Sequence, residues 1–256
     1  FREELTYVGK PKSKVDGPQL VAGEPSFVED RVLPGYHAMV LLRSPYAHAY
    51  ITKIDTSEAL KMDGVVSIIT HENCPDVFYM QAGQGNPEPS PHDRRLFNRK
   101  VRHVGDRVAA IVAETEEQAR AARDAIKVEY EVLKPVLTVE EAMEEGAPLI
   151  HNGIVEYRAG APKDLDEYNK KADPRDGKVI YQFPLHSDIR RNIASAAHGQ
   201  IGDVEKGFKE ADVVVERTYQ TSQIQCTPLE PHICYAKIDG GRLVLHASTQ
   251  VPYHVR

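Results

Sequence analysis

The sequence predicts an α+β chain built in two parts. Three observations carry this. Short apolar or alternating strand-like runs are interleaved with short capped helices from His37 to Ile150. A polar, turn-rich stretch then runs from Asn152 to Lys178. A second β-rich pattern with a hairpin turn follows it, up to Arg256.

Each element has a local cause. His37 to Arg43 (HAMVLLR) is apolar enough for a buried strand, and Ala49 to Ile54 alternates before Asp55. Asp55-Thr56-Ser57-Glu58 is a helix-start pattern, a short acceptor followed three residues later by a carboxylate. Gly64 closes that helix, and Val65 to Thr70 is a β-branched strand. Gln81 to Pro91 holds three prolines and two glycines and reads as a loop. Arg107 to Ala113 is the next strand. Thr115-x-x-Gln118 is a capping box, with Ala119, Ala122 and Ile126 at helical spacing behind it. Lys127 to Val132 alternates as a half-buried strand, and Thr138-x-x-Glu141 caps a short helix through Met143.

The stretch from Asn152 to Lys178 contains Gly160, Pro162, Pro174 and Gly177 among lysines and aspartates, and reads as an exposed connector. Beyond it, Asp203 caps a helix carrying Val204, Gly207 and Phe208. Val213 to Gln220 alternates as a strand. Ile233 to Ile238 and Arg242 to His246 flank the turn Asp239-Gly240-Gly241, a hairpin signal.

Composition narrows the function classes. A chain of 256 residues buries roughly 70–75% of its unfolded surface. The formal charge is -6 and the pI about 6.0, which argues against a basic nucleic-acid-binding surface. Cys74, Cys226 and Cys234 cannot all pair and form no C-x-x-C, so free thiols in a reducing, cytoplasmic setting are expected. No apolar run reaches the roughly 18–20 residues of a membrane span. The chain starts at Phe1 and stops at Arg256 shortly after a strand-like run, and reads as an excised piece of a longer protein.

Most motif-like features lack chemistry. The eleven histidines form no H-E-x-x-H, no H-x-H and no Cys/His cluster, so no protein-bound metal is expected. Gly83-Gln84-Gly85 lacks the third glycine of a dinucleotide loop, since Glu88 stands there, and prolines follow instead of a helix. No G-x-S-x-G elbow supports a nucleophilic serine. Glu140-Glu141 with Glu144-Glu145 reads as a solvated helix face. Arg190-Arg191-Asn192 fits an anion site less well than a surface or interface pairing with acids. Gln223 to His232 fits either a strand-connecting loop or a site wall with Glu230 turned inward. Gln250, at the end of a strand, could donate an amide hydrogen bond to a ligand oxygen or be a plain strand end.

Several segments in order resemble the molybdenum hydroxylases, the xanthine dehydrogenase/aldehyde oxidase family. They are Arg43-Ser44-Pro45-Tyr46-Ala47-His48-Ala49, Gly64-Val65-Val66, the run from Val104-Gly105-Asp106-Arg107 to Glu114-Thr115, Ala211-Asp212-Val213-Val214, Leu229-Glu230-Pro231-His232 and Ser248-Thr249-Gln250. Arg102-His103-Val104-Gly105-Asp106 and Pro87-Glu88-Pro89-Ser90-Pro91 look closest to its selenium-dependent xanthine dehydrogenase and putative hypoxanthine oxidase branch. The resemblance covers about Val8 to Arg256.

It implies an α/β-hammerhead domain over residues 15–137, a connector over 138–177 and the truncated beginning of a molybdopterin-cofactor-binding domain over 178–256. It implies hydroxylation of a purine by water at a molybdenum-molybdopterin centre. Electrons would pass to two-iron two-sulfur clusters, and to FAD where present, on other domains or subunits of an oligomeric holoenzyme. Gln250 matches the family's cofactor-contacting glutamine. Glu230 and His232 fall in a motif that fits a site wall only. The catalytic glutamate and the glycine-rich segment framing the metal fall outside these residues, so the piece alone is expected to be inactive. Other substrates (an aldehyde, nicotinate, carbon monoxide or an aromatic thioester) and a non-catalytic scaffold remain open alternatives.

Overall fold

The computed structural model describes residues 5–24, 27–31, 34–80, 90–184 and 186–255. The loop expected at Gln81 to Pro91, including Gly83-Gln84-Gly85, lies almost wholly outside them. The chain divides into two compact units, residues 36–214 and residues up to 35 together with those from 215.

In the 36–214 unit, β1 (Ala38–Arg43), β5 (Arg107–Ala113) and β3 (Val65–Thr70) form one antiparallel sheet in the order β1-β5-β3. The central strand β5 is the most apolar, and Val108, Ala109 and Ile111 are fully buried in it. Strand β1 is an edge strand and only half-buried, with Met39 58% exposed, which corrects the expectation of a buried strand. A second sheet has the order β4 (Lys100–Val101), β2 (Ala49–Asp55) and β6 (Lys127–Val132). Helix α2 (Glu116–Ala125) lies against β1 and β5. Its core-facing residues are Ala119 and Ala122, whose small side chains permit close approach, and they join Ile51, Val101 and Ile111 in one core.

The capping box forms as the sequence predicts. Thr115 Oγ1 accepts from the Gln118 N–H at 3.2 Å, and Gln118 Oε1 accepts from the Thr115 N–H at 3.0 Å. The helix expected after Asp55 shrinks to a 3-10 turn, Ala59–Lys61. Asp55 instead holds the Ser57 N–H at 3.0 Å in a local turn, the competition that short polar side chains offer to helix. Gly64 (φ +76°) closes this segment, and a side chain there would run into the Gln118 amide.

The stretch read as an exposed connector is structured. Strands β7 (Ile154–Tyr157) and β8 (Lys178–Tyr181) pair in parallel, joined through helix α4 (Leu165–Asn169). Val155, Val179 and Tyr181 form a small core of their own. Four-residue strands are too short to show periodicity, which is why the polar composition around them dominated the sequence reading. Helix α3 (Val139–Met143) starts at Thr138, whose hydroxyl accepts from the Glu141 N–H. Helix α5 (Val204–Glu210) is capped by Asp203 through the Lys206 N–H.

The other unit holds helix α1 (Gly17–Ala22), the hairpin of β9 (Cys234–Asp239) and β10 (Arg242–Ala247), and helix α6 (Pro252–Val255). The strand expected at Val213 to Gln220 does not form: these residues are exposed and carry no regular secondary structure, and no neighbouring strand among the described residues offers them a ladder. No helix of the described residues is long and apolar enough to cross a membrane.

Candidate functional site

Gln250, Glu230 and His232 gather around the hairpin. The two-residue loop Gly240-Gly241 takes left-handed φ angles of +54° and +76°, the geometry that matches strand twist and that glycine supplies without strain. The ladder runs from Arg242 opposite Asp239 to Ala247 opposite Cys234, with Tyr235 and His246 stacked at 4.4 Å. Past the ladder, the Ser248 N–H donates to the Ile233 carbonyl at 3.3 Å and its hydroxyl to the Pro231 carbonyl at 3.2 Å. Those bonds place Gln250 and His232 at the same end of the hairpin. Both are exposed. The Gln250 amide makes no hydrogen bond to described residues and is free to donate. Glu230 differs, for it is half-buried and its Oε1 accepts from the Val28 N–H at 3.0 Å. It fixes a loop within its own unit.

The sequence reading missed the most buried polar constellation. Asp176, in the 3-10 turn Pro174–Asp176, has a side chain 1% exposed. Lys100 Nζ donates to its Oδ2 at 3.1 Å and to the Leu149 carbonyl at 3.0 Å. The Arg102 guanidinium and the Asn152 N–H also donate to this carboxylate. Arg102 Nε reaches the Ile150 carbonyl at 3.2 Å. Burial lowers the Lys100 pKa, with Asp176 opposing that shift. Beside it, Arg175 lies 4.0 Å over the buried Tyr50 ring and grips Asp173, whose carboxyl it holds down at about 2. A lysine beside a valine in a short, fully buried strand is the one local signal of this cluster. Its partner lies 76 residues away, so no motif joins them.

Arg190 is an exposed residue paired within its own chain, to Asp164 at 2.6 Å and Asp188 at 3.3 Å. Asn192 spends its amide on the Ile150 N–H and on the Ala142 and Pro148 carbonyls. Among the described residues, no group of three or more His, Cys, Asp or Glu could hold a metal ion. Cys74 is buried, Cys226 and Cys234 are exposed, and all three are free thiols.

An α+β chain of this order, with a free amide donor at the end of its last hairpin, defines a class that comparison with known proteins makes specific. Residues 22–134 match the family model "Aldehyde oxidase and xanthine dehydrogenase, a/b hammerhead domain", and residues 185–256 match "Molybdopterin cofactor-binding domain". The chain belongs to the xanthine dehydrogenase/aldehyde oxidase family. It is 53% identical to the "Probable hypoxanthine oxidase" of Escherichia coli O157:H7, over 100% of this chain and 27% of that protein. It is 30% identical to the "Nicotinate dehydrogenase large molybdopterin subunit" of Eubacterium barkeri, over 99% of this chain and 50% of that one. The solved aldehyde oxidoreductase of Desulfovibrio gigas superposes with a TM-score of 0.61 at 25% identity, over 92% of this chain and 23% of that chain. The chain thus spans about a quarter to a half of the length of these curated relatives.

Proposed function

We propose that this chain is part of the molybdenum-cofactor subunit of a hydroxylase acting on a purine such as hypoxanthine or xanthine. In this reading residues 15–137 form the hammerhead, 138–177 the connector and 178–256 the opening of the cofactor-binding domain. The observation that carries it is 53% identity to a probable hypoxanthine oxidase along every residue of the chain. The reaction is R–H + H₂O → R–OH + 2 electrons + 2 H⁺. Molybdenum-molybdopterin, when bound, supplies the two-electron oxidant, and electrons leave to two-iron two-sulfur clusters, and to FAD where present, on other domains or subunits.

The residues present fit that group at one point. Gln250 offers an unengaged primary amide, a neutral donor with no proton to lose near neutral pH. Glu230 is already taken by the Val28 N–H, which favours a wall over a reacting role for it and for the neighbouring His232.

The test is steady-state turnover by the whole protein with a dye acceptor, comparing hypoxanthine, xanthine, nicotinate and an aldehyde. Purines are expected to give the highest kcat/KM. Gln250→Leu, with its molybdenum content retained, is expected to lower kcat by about 10- to 1,000-fold, as loss of one placed donor does. A preference for nicotinate or the aldehyde would overturn the purine assignment, and an unchanged kcat would remove Gln250 from the site.

A further inference from the structure

The segment that closes on Asp176 carries a chemical weak point. Of the six asparagines in the chain, only Asn152 is followed by glycine. Asparagine before glycine is the pairing most open to succinimide formation, because a residue with no side chain leaves its nitrogen unshielded beside the preceding amide. Packing imposes this glycine. Gly153 is buried, and it faces the Gly177 carbonyl so closely that a Cβ has no room. The labile pair is therefore built into the fold.

The same packing holds it shut. The Asn152 N–H donates to the Asp176 carboxylate, and the Asn152 carbonyl accepts from the Asp173 N–H at 2.7 Å. One residue beyond the pair, the Ile154 N–H donates to the Gly177 carbonyl at 3.0 Å. Closing a succinimide ring needs rotation about the Asn152 Cα–C bond, and these bonds oppose it. It also needs a base to take the Gly153 amide proton, and burial of Gly153 keeps water from it. The Asn152 side-chain amide makes no hydrogen bond to described residues, so the restraint lies in the main chain.

We propose that Asn152–Gly153 is a deamidation site guarded by the Asp173–Asp176 turn, and that its modification makes loss of this clasp irreversible. When the turn lifts, the Gly153 nitrogen gives its proton to solvent base and attacks the Asn152 Cγ. The N–Cγ bond forms, the Cγ–Nδ2 bond breaks and ammonia leaves. Water then opens the ring at either carbonyl, giving aspartate or isoaspartate, and no oxidant or reductant is needed. Isoaspartate routes the main chain through the former side chain and lengthens it by one atom. The bonds to Asp173 and Asp176 on one side and from Ile154 on the other then no longer close together. Chemical change that outruns reclosing turns a reversible opening into a lasting loss.

The test incubates the whole protein in mildly alkaline buffer and follows residue 152 by peptide mass mapping. Labelling with isoaspartyl methyltransferase separates the two products, and a synthetic peptide of residues 148–158 is the open reference. Deamidation in the native protein is expected to be at least about 100-fold slower than in the peptide, as a seldom-populated opening gives. Asp176→Ala is expected to raise the rate roughly 10-fold or more, the factor set by losing a hydrogen bond to a charged group. Urea below the unfolding midpoint is expected to raise it in the unaltered protein, which keeps the test open if Asp176→Ala does not fold. Asn152→Ala is expected to preserve a larger refoldable fraction after incubation. A native rate equal to the peptide's, a rate indifferent to urea or to a folded Asp176→Ala, or an Asn152→Ala protein that loses refoldability as fast as the original would overturn the proposal. Residue 152 lies outside the hairpin that carries Gln250, so the outcome is independent of the purine assignment.

Discussion

At the scale of single residues, the Lys100–Asp176–Arg102 cluster is the feature with the largest energetic consequence. Two cations share one carboxylate, all three side chains at most 6% exposed, so the triad carries a net positive charge. The Leu149, Ile150, Lys100 and Asp176 carbonyls accept further N–H donors from Lys100 and Arg102. Such a cluster adds little stability compared with apolar packing, but breaking it strands a charge in a low dielectric. Asp176→Ala leaves two buried cations with no counter-charge. The expected cost is about 3–5 kcal/mol, well above the ~1 kcal/mol of a typical substitution. Hydrogen exchange of the 149–154 and 178–181 amides in the whole protein checks this, with protection in both segments expected to fall together. Asp176→Asn keeps part of the hydrogen bonding and should fall between. Protection unchanged in Asp176→Ala would mean that water enters and rehydrates the cations.

At the scale of elements, α2 shows how closely two neighbours are fitted. Gly64 accepts from the Glu114 N–H through its carbonyl at 2.9 Å and leaves no room for a side chain beside Gln118. Gly64→Ala therefore carries two penalties, a left-handed backbone and a displaced cap, for a total of about 2–3 kcal/mol. Gln118→Ala alone costs about 1 kcal/mol. In the double variant the clash is gone, so the two effects should fall short of additivity by about 1 kcal/mol in a double-mutant cycle. Strict additivity would show that Gln118 swings away freely. This element was legible in the sequence because Thr115 and Gln118 are local partners, as were β5, the Asp203 cap and the glycine turn of the hairpin. Val213 to Gln220 misled because alternation describes one strand, while a ladder needs two. Strands β7 and β8 escaped notice because four residues show no period. Of the candidate site, the position of Gln250 at a strand end was legible, whereas the bond from Val28 to Glu230 joins residues 202 apart and was not.

At the scale of the molecule, the hairpin unit is rich in uncovered apolar surface. Tyr219, Ile224, Leu229, Ile238 and Leu243 are each at least 69% exposed. Apolar exposure on this scale marks surface that normally meets other protein. One amide donor and no metal-ligating cluster among the described residues make a poor cofactor grip. These 256 residues expressed alone are therefore expected to retain well under one molybdenum per chain and to show no purine turnover. Metal analysis and the dye assay check this, and stoichiometric molybdenum would refute it. The buried triad also sets a timetable. Polypeptide synthesis adds about 5–20 residues per second, so the 76 residues between Lys100 and Asp176 take about 4–15 s to be made. Through that interval the nascent hammerhead holds two cations with no counter-charge, and β4 must stay wet until a carboxylate encoded well downstream arrives to let it close.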